Sequence, residues 1–157
     1  MKAFTHYIFS IGVTLAVLSL QHELSLGSSL MALWLSVSIN YLVDVLGHVS
    51  RSGRPVRTWV THSIITAPLW GALVGAVSLA TISQAPGSGP LWYALGFWAS
   101  IGVLISEEHL FLDSLTQAGI YLWRRRIAIA HFRYDNIGLN LGFALLGVLL
   151  IGAAIGP

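Results

Sequence analysis

Long apolar runs with almost no charge are the feature that most constrains what this chain can fold into. Of its 157 residues, 55% are hydrophobic and only 9% are charged, whereas a soluble domain averages about 25% charged residues. A helix needs roughly 20 apolar residues to cross a bilayer, and five runs approach that length. They predict an all-α fold, a polytopic membrane helix bundle in a single domain over residues 1–157, with transmembrane helices at about 3–20, 28–49, 61–83, 91–119 and 137–155.

The positively charged residues predict the orientation of this bundle. If five spans alternate in direction, the N-terminus shares one side with the loops at 50–60 and 121–136, and that side holds all 8 Lys and Arg residues. Cytoplasmic loops of membrane proteins carry an excess of these residues. We therefore expect a multi-pass protein of the cytoplasmic membrane with a cytoplasmic N-terminus. The first run also has features of a signal peptide, but we interpret it as the first membrane helix.

Histidine and carboxylate side chains gather at the cytoplasmic ends of the predicted helices. An ionised side chain well inside a bilayer costs about 3 kcal/mol, so such residues are candidates for a functional site. Two pairs, Asp44 with His48 and His109 with Asp113, have the four-residue spacing that places both side chains on one helix face. The chain has no cysteine, so thiolate ligands are excluded. The predicted metal-site residues are His6, Asp44, His48, His62, His109 and Asp113.

These ligand types indicate a divalent cation, and six residues could hold one metal or two. Imidazole nitrogens and carboxylate oxygens suit Zn in a catalytic site, and Mn or Fe would also accept them. Glu108, or an Asp that does not bind the metal, is the predicted general base. Arg57, or the run Arg124–Arg126, is predicted to neutralise a phosphate group. Asn40, Glu107 and Thr116 are further candidates. Because Glu107 and Glu108 are adjacent, only one of them can face the site.

Simpler interpretations stay open for the same residues. His6 or His62 alone fits an ordinary residue of the membrane interface. The two spaced pairs also fit an inter-helix salt bridge or polar clamp. The arginines, including the run Arg124–Arg126, serve first as topology determinants, and a second role would be to hold phosphate groups of a substrate or of lipids.

The order of these motifs resembles that of a known family, and the matching pieces are Thr5-His6, Asp44–His48, Arg57, Thr61–Ser63, His109–Gly119, Tyr134–Asn136 and Asn140. They resemble the membrane-bound metal-dependent hydrolases of the inner-membrane-associated, LexA-binding type, and especially their uncharacterised archaeal relatives. That family is distantly similar to the zinc-dependent phospholipase C and nuclease superfamily, in which His and Asp ligands on helices hold metals that cleave phosphoesters. The resemblance implies the same six metal-site residues. Bacterial members often have a tighter Asp-x-Asp-His run, whereas this chain spaces Asp44 and His48 by four.

Together these features predict an integral membrane metal-dependent hydrolase with its site at the cytoplasmic membrane face, acting on a phosphoester of a lipid or lipid-linked substrate. Membrane lipids are the expected partners, no nucleic-acid partner is expected, and the Gly71-x-x-x-Gly75 pattern allows a homo-oligomer. The alternative is a non-catalytic membrane assembly protein or subunit with a structural metal site or a polar clamp. A metal or proton transporter would need polar groups through the full membrane depth, which the apolar outer halves of the predicted helices disfavour.

Overall fold

The computed structural model describes residues 1–51, 54–81 and 90–156, and most of these residues are helical. Within them, six helices form the bundle: α1 (Ala3–Leu20), α2 (Leu26–Gly47), α3 (Trp59–His62), α4 (Thr66–Thr81), α5 (Leu91–Ser114) and α6 (Ile137–Ile155). Two antiparallel hairpins accompany them, β1 (His48–Arg51) with β2 (Arg54–Arg57), and β3 (Ile120–Leu122) with β4 (Arg125–Ile127). The predicted all-α bundle is confirmed, and the hairpins form in segments that the sequence predicts to be loops.

Four of the helices, α1, α2, α5 and α6, are long and apolar enough to cross a membrane. These four helices support the prediction that the chain is a membrane protein. Helix α4 is also apolar but has 16 residues, which at 1.5 Å per residue gives a length of about 24 Å. That is less than the roughly 30 Å of a bilayer's hydrocarbon core, so the fifth span stays a prediction.

The third apolar run was predicted to be one helix over 61–83, and this prediction is wrong at its start. The run begins as α3, becomes extended at Ser63 (φ −103°, ψ 140°) and resumes as α4. Pro68 gives the physical reason, because proline lacks an N–H and is tolerated in a helix only within the first turn. The extended segment bonds to the second hairpin instead, where the Ile64 amide donates to the Tyr121 carbonyl oxygen (3.1 Å). Residues 82–83 lie outside the described part of the chain.

The fourth predicted helix ends earlier than expected, at Ser114 rather than near Gly119. The hydroxyl and the amide of Thr116 both donate to the Asp113 carbonyl oxygen, at 2.8 and 3.0 Å. These turn bonds compete with the bonds that a continuing helix would make. Gly119 has a φ of +62°, a left-handed conformation that glycine adopts without strain, and it leads into β3.

Helices α4 and α5 pack at very short range through glycine. A Cβ at Gly71 would collide with the backbone of Gly102, and a Cβ at Gly75 would collide with the backbone of Trp98. The Gly71-x-x-x-Gly75 pattern is therefore used within the bundle, where small residues let two helix backbones approach.

An apolar core fills the bundle and leaves one end polar. At that end the start of α1, the ends of α2 and α5, and the short helix α3 meet, and both hairpins lie beside them. Among the largest fully buried apolar side chains are Leu18, Leu35, Ile39, Ile105, Leu110 and Leu112.

Candidate metal centre

Four side chains from three segments converge at the polar end of the bundle. Asp44 lies in the last turn of α2, His62 ends α3, and His109 and Asp113 lie one turn apart on α5. One ligand atom from each residue lies within 4.8 Å of the ligand atoms of the other three. The side chains of His62, His109 and Asp113 are fully buried, and that of Asp44 is 35% exposed. The structure thus brings together four of the six predicted ligands as a group that can bind a metal ion.

The spacing of the four ligand atoms fits one cation. Asp113 Oδ2 lies 3.2 Å from His109 Nε2 and 3.5 Å from His62 Nε2. Asp44 Oδ1 lies 3.6 and 3.8 Å from the same two nitrogens. In a tetrahedral Zn site with bonds of about 2.0–2.1 Å, neighbouring ligand atoms are about 3.4 Å apart. The four histidine–aspartate separations bracket that value, and all four ligand atoms lie within 4.8 Å of one another.

Three of these four ligand atoms are buried without a hydrogen bond. Within the described part of the chain, His62 Nε2, His109 Nε2 and Asp113 Oδ2 have no hydrogen-bond partner. Buried polar atoms are rarely left unpaired in folded proteins. A cation shared by all three would satisfy each of them, so the residues present fit a metal ion.

Thr61 determines which nitrogen of His62 faces the centre. Thr61 Oγ1 donates its hydrogen to the Val43 carbonyl oxygen (2.7 Å), so it accepts from His62 Nδ1 (3.1 Å). The imidazole proton is then on Nδ1, and Nε2 keeps the lone pair that a metal needs. Burial lowers the pKa of His62 to about 4, opposed in part by the nearby Asp44 carboxylate, so the imidazole is neutral at pH 7.

Asn40 has the same effect on His109. The Asn40 amide nitrogen donates to the Ser36 carbonyl oxygen (2.7 Å) and to Ser10 Oγ (3.2 Å). Its oxygen Oδ1 therefore accepts from His109 Nδ1 (2.8 Å), and His109 Nε2 is left unprotonated toward the two aspartates. Partners of this kind orient metal-ligating histidines. Asn40 was named from the sequence as a further candidate, and the structure places it against a ligand.

Gly47 makes room for His62. A Cβ at this position would collide with Thr61 Oγ1 and with the His62 ring. Glycine at the end of α2 therefore lets α3 lie directly against α2. This close approach brings His62 within reach of Asp44.

Positive groups hold the second oxygen of Asp113. Asp113 Oδ1 accepts from Arg57 Nη2 (2.6 Å) and from the amine of Met1 (2.7 Å), and it lies 3.2 Å from His6 Nε2. Arg57 Nη1 also donates to Thr116 Oγ1 (3.2 Å). These contacts offset the charge of the buried carboxylate and leave Oδ2 facing His62 and His109. The predicted residues Arg57 and Thr116 therefore lie directly behind a ligand.

His6 and His48, which were also predicted as ligands, flank the four-residue cluster. The His6 ring stacks on the His109 ring with centroids 4.2 Å apart. His48 Nδ1 lies 2.7 Å from the Asp44 carbonyl oxygen, so this nitrogen donates to the backbone, and Nε2 carries the lone pair of the neutral imidazole. The roles of His6 and His48 as metal ligands stay predictions.

Glu108 is buried outside the cluster. It precedes His109 on α5, and successive helix positions point about 100° apart. The nearby polar side chain is Ser10 on α1, and neither carboxyl oxygen has a hydrogen bond within the described residues. Glu107 is only half-buried. The role of Glu108 as general base stays a prediction.

A pocket of about 850 Å³ opens beside the four-residue cluster. Its volume is within the range of small-molecule sites. The partly exposed ligand Asp44 lines it, so the pocket reaches the cluster through this residue. The other polar side chains in its lining are His48, Arg57, Tyr121, Arg126 and Tyr134.

The comparisons with known proteins give a family and no function. The family model described as "Protein of unknown function (DUF1286)" matches residues 1–112. The chain belongs to this family. The match covers Asp44, His62 and His109 and ends just before Asp113. No curated protein and no solved structure matches the chain.

In this DUF1286 protein, sequence reasoning missed the residues that orient or admit the ligands. Thr61 and Gly47 both enter the sequence reasoning only as parts of motifs, with no role of their own. The available signal was local, because a hydroxyl residue directly precedes His62 in the chain. The contact of Gly47 with His62 has no such signal, since the two residues meet only through the packing of α2 against α3.

Proposed function

We propose that this protein is an integral-membrane metal-dependent hydrolase with its His/Asp site at the cytoplasmic face of the membrane. Its substrate is a phosphoester of a lipid or of a lipid-linked compound. The observation that carries the proposal is a group of four ligand atoms, three of them buried, at separations suited to one cation and beside an open pocket. The two hairpins, which carry several arginines, come directly after α2 and α5 in the chain, at the end of the bundle that holds the site. This position of the basic residues supports a cytoplasmic location for the site.

In this proposal Asp44, His62, His109 and Asp113 hold one divalent cation, for which Zn is the first candidate and Mn or Fe are alternatives. When bound by these residues, such a cation would act as a Lewis acid and would lower the pKa of a water molecule toward about 7. The two aspartates offset its charge in the apolar bundle. Arg57 holds Asp113 through its Oδ1, which keeps Oδ2 directed at the centre.

His48 is better placed than Glu108 to accept a proton from water in the pocket. It lines the pocket and is 29% exposed, and with Nδ1 donating to the backbone it is Nε2 that carries the lone pair of the neutral imidazole. Glu108 is absent from the described lining of this pocket. A general base has to come within hydrogen-bond reach of the proton that it removes, and we therefore assign this role to His48.

The location of the pocket favours a membrane substrate. It lies at the end of helices that are apolar enough to cross a bilayer, which supports a position at the depth of lipid headgroups. A lipid-linked substrate reaches such a site by lateral diffusion. Its phosphate group would then lie beside Asp44, and its apolar part would remain in the membrane.

Turnover with and without metal tests this proposal. Purified protein is assayed on 4-nitrophenyl phosphoesters and on phosphatidic acid in mixed micelles, before and after chelation. We expect loss of turnover on chelation, recovery with Zn or Mn, and loss in Asp44→Asn. Asp135→Asn is the matched control, since Asp135 pairs with Arg133 at the surface. Turnover that survives both chelation and Asp44→Asn would refute the mechanism.

A polar clamp without catalysis is the second candidate, and one observation favours it. Asp113 already contacts two positive groups, the Arg57 guanidinium and the Met1 amine, so its charge is offset without a metal. In that case the site joins α1, α2, α3 and α5 in a membrane assembly protein. Thermal unfolding distinguishes the two, because a clamp predicts the same melting temperature with chelator and with Zn, whereas a metal centre predicts a higher one with Zn.

A further inference from the structure

The guanidinium of Arg57 is already engaged, so it is poorly available to bind a substrate. Arg57 Nη2 donates to Asp113 Oδ1 (2.6 Å), and Nη1 donates to Thr116 Oγ1 (3.2 Å) and to the Gly119 carbonyl oxygen (3.1 Å). These bonds fix the side chain behind a ligand. If the pocket receives an anion, another positive group has to bind it.

The second hairpin supplies one such group to the pocket. Tyr121 and Arg126 are directly paired across β3 and β4, so their side chains lie on the same face of the hairpin. Both line the pocket. The next pair, Leu122 with Arg125, lies on the opposite face because side chains alternate along a strand.

Arg126 is the arginine of the 124–126 run that lines the pocket. Arg124 instead lies over the Trp59 ring, 5.5 Å from its centroid. Among the residues that the structure describes, no carboxylate forms an ion pair with Arg126. An arginine with free donors, in a pocket that also contains a metal-ligand candidate, is suited to bidentate binding of a phosphate.

We propose that Arg126 is the anion-binding residue of this pocket and that it recognises the phosphate group of the substrate. This inference rests on the proposed function, because it names a recognition residue for the same site. Tyr134 and Tyr121 line the pocket with Arg126, and Met1, Val56 and Ala118 give part of the wall an apolar character. A phosphate that carries an apolar group therefore fits the lining, and its source is either a lipid headgroup or a soluble phosphate ester.

Binding rather than turnover tests this role. Full-length Zn-loaded protein in neutral detergent micelles is titrated calorimetrically with inorganic phosphate, glycerol 3-phosphate and dihexanoylphosphatidic acid. Salt is kept at about 0.15 M, where the Debye length of about 8 Å weakens long-range attraction. Arg126→Gln is compared with Arg125→Gln, which removes the same charge from the opposite face of the same strand. Metal content is measured for every sample.

We expect Arg126→Gln to weaken phosphate-ester binding by about tenfold or more, the usual effect of losing a charge-assisted bond, and Arg125→Gln to change it by less than about twofold. Tighter binding of dihexanoylphosphatidic acid than of glycerol 3-phosphate identifies a lipid source, and equal binding identifies a soluble ester. Equal losses in the two variants, or no saturable binding by metal-loaded wild type, would overturn the assignment of Arg126 and leave the metal centre standing. Binding that depends on Arg126 in protein that takes up no metal would support the anion site and contradict the proposed hydrolase.

Discussion

Replacing Thr61 by valine removes one hydroxyl next to the candidate metal centre while keeping the branched shape of the side chain. Wild-type Thr61 accepts from His62 Nδ1 (3.1 Å) and donates to the Val43 carbonyl oxygen (2.7 Å). Thr61 and His62 are fully buried, so water cannot replace the lost acceptor. In the variant His62 Nδ1 lacks its hydrogen-bond acceptor, so the tautomer with the proton on Nδ1 is no longer favoured.

The expected loss of metal affinity follows from this contact. A buried donor without an acceptor costs about 1–3 kcal/mol, which corresponds to roughly 5- to 150-fold. Loss of a partner behind a ligating histidine typically costs about 10- to 100-fold in metal affinity, so the two magnitudes agree. The Val43 carbonyl also loses a donor, but it does so with and without metal. That part of the effect lowers the free energy of unfolding of the metal-free protein and leaves the affinity unchanged.

Competition with a chromophoric chelator of known Zn affinity measures the dissociation constant of each variant. Thr61→Ser is the matched control, because serine keeps the hydroxyl and both of its bonds. We expect Thr61→Val to bind Zn about 10- to 100-fold more weakly than wild type, and Thr61→Ser to bind within about threefold. Wild-type affinity in Thr61→Val, or an equal loss in both variants, would show that this contact does not orient His62.

Three further perturbations have expected outcomes. Gly47→Ala should weaken Zn binding by about tenfold or more, because a Cβ there would collide with Thr61 Oγ1 and the His62 ring. Gly142→Ala, at a position with open space around it, should leave Zn binding unchanged. Chelator competition measures both affinities, and equal values in the two variants would contradict the collision. Arg57→Gln should lower the free energy of unfolding of the metal-free protein by about 3–5 kcal/mol, since it removes one of the two positive groups that contact buried Asp113. Denaturant unfolding in micelles tests this, and a loss below about 1 kcal/mol would contradict it. His48→Ala should keep one metal per chain and lose about 10²-fold or more in turnover, whereas loss of the metal would identify His48 as a ligand.

Much of the helical bundle is predictable because apolar run length and flanking polar residues carry a strong signal. The first and last helices were expected at 3–20 and 137–155, and the structure has Ala3–Leu20 and Ile137–Ile155. The third run departs from its apolar length because Pro68 marks the start of a new helix inside it. The hairpins escaped prediction because strands of three or four residues with several arginines show little apolar alternation.

The residue types of the site are predictable from the sequence. Which of the six predicted ligands form the four-residue cluster is less predictable. Histidines and aspartates at the same ends of several helices identified all four members of the cluster in advance. Sequence spacing alone could not separate His48 from His62, because the choice depends on side-chain direction. His48 Nδ1 bonds to the Asp44 carbonyl oxygen in the last turn of α2, and His62 Nδ1 bonds to Thr61. Which of the two histidines faces the cluster depends on how α2 packs against α3, and the spacing of residues in the sequence does not contain this information.

X-ray absorption fine structure of the Zn-loaded protein tests the central claim most directly, because it reports the atoms around the metal without requiring a known substrate. Our account predicts about one metal per chain, surrounded by nitrogen and oxygen ligands at about 2.0–2.1 Å. The outer-shell scattering should correspond to two imidazole rings, those of His62 and His109, and should fall to one ring in His109→Ala. Metal that shows only oxygen ligands without imidazole scattering, or no metal above trace level after Zn loading, would contradict the claim that two histidines and two aspartates share one cation.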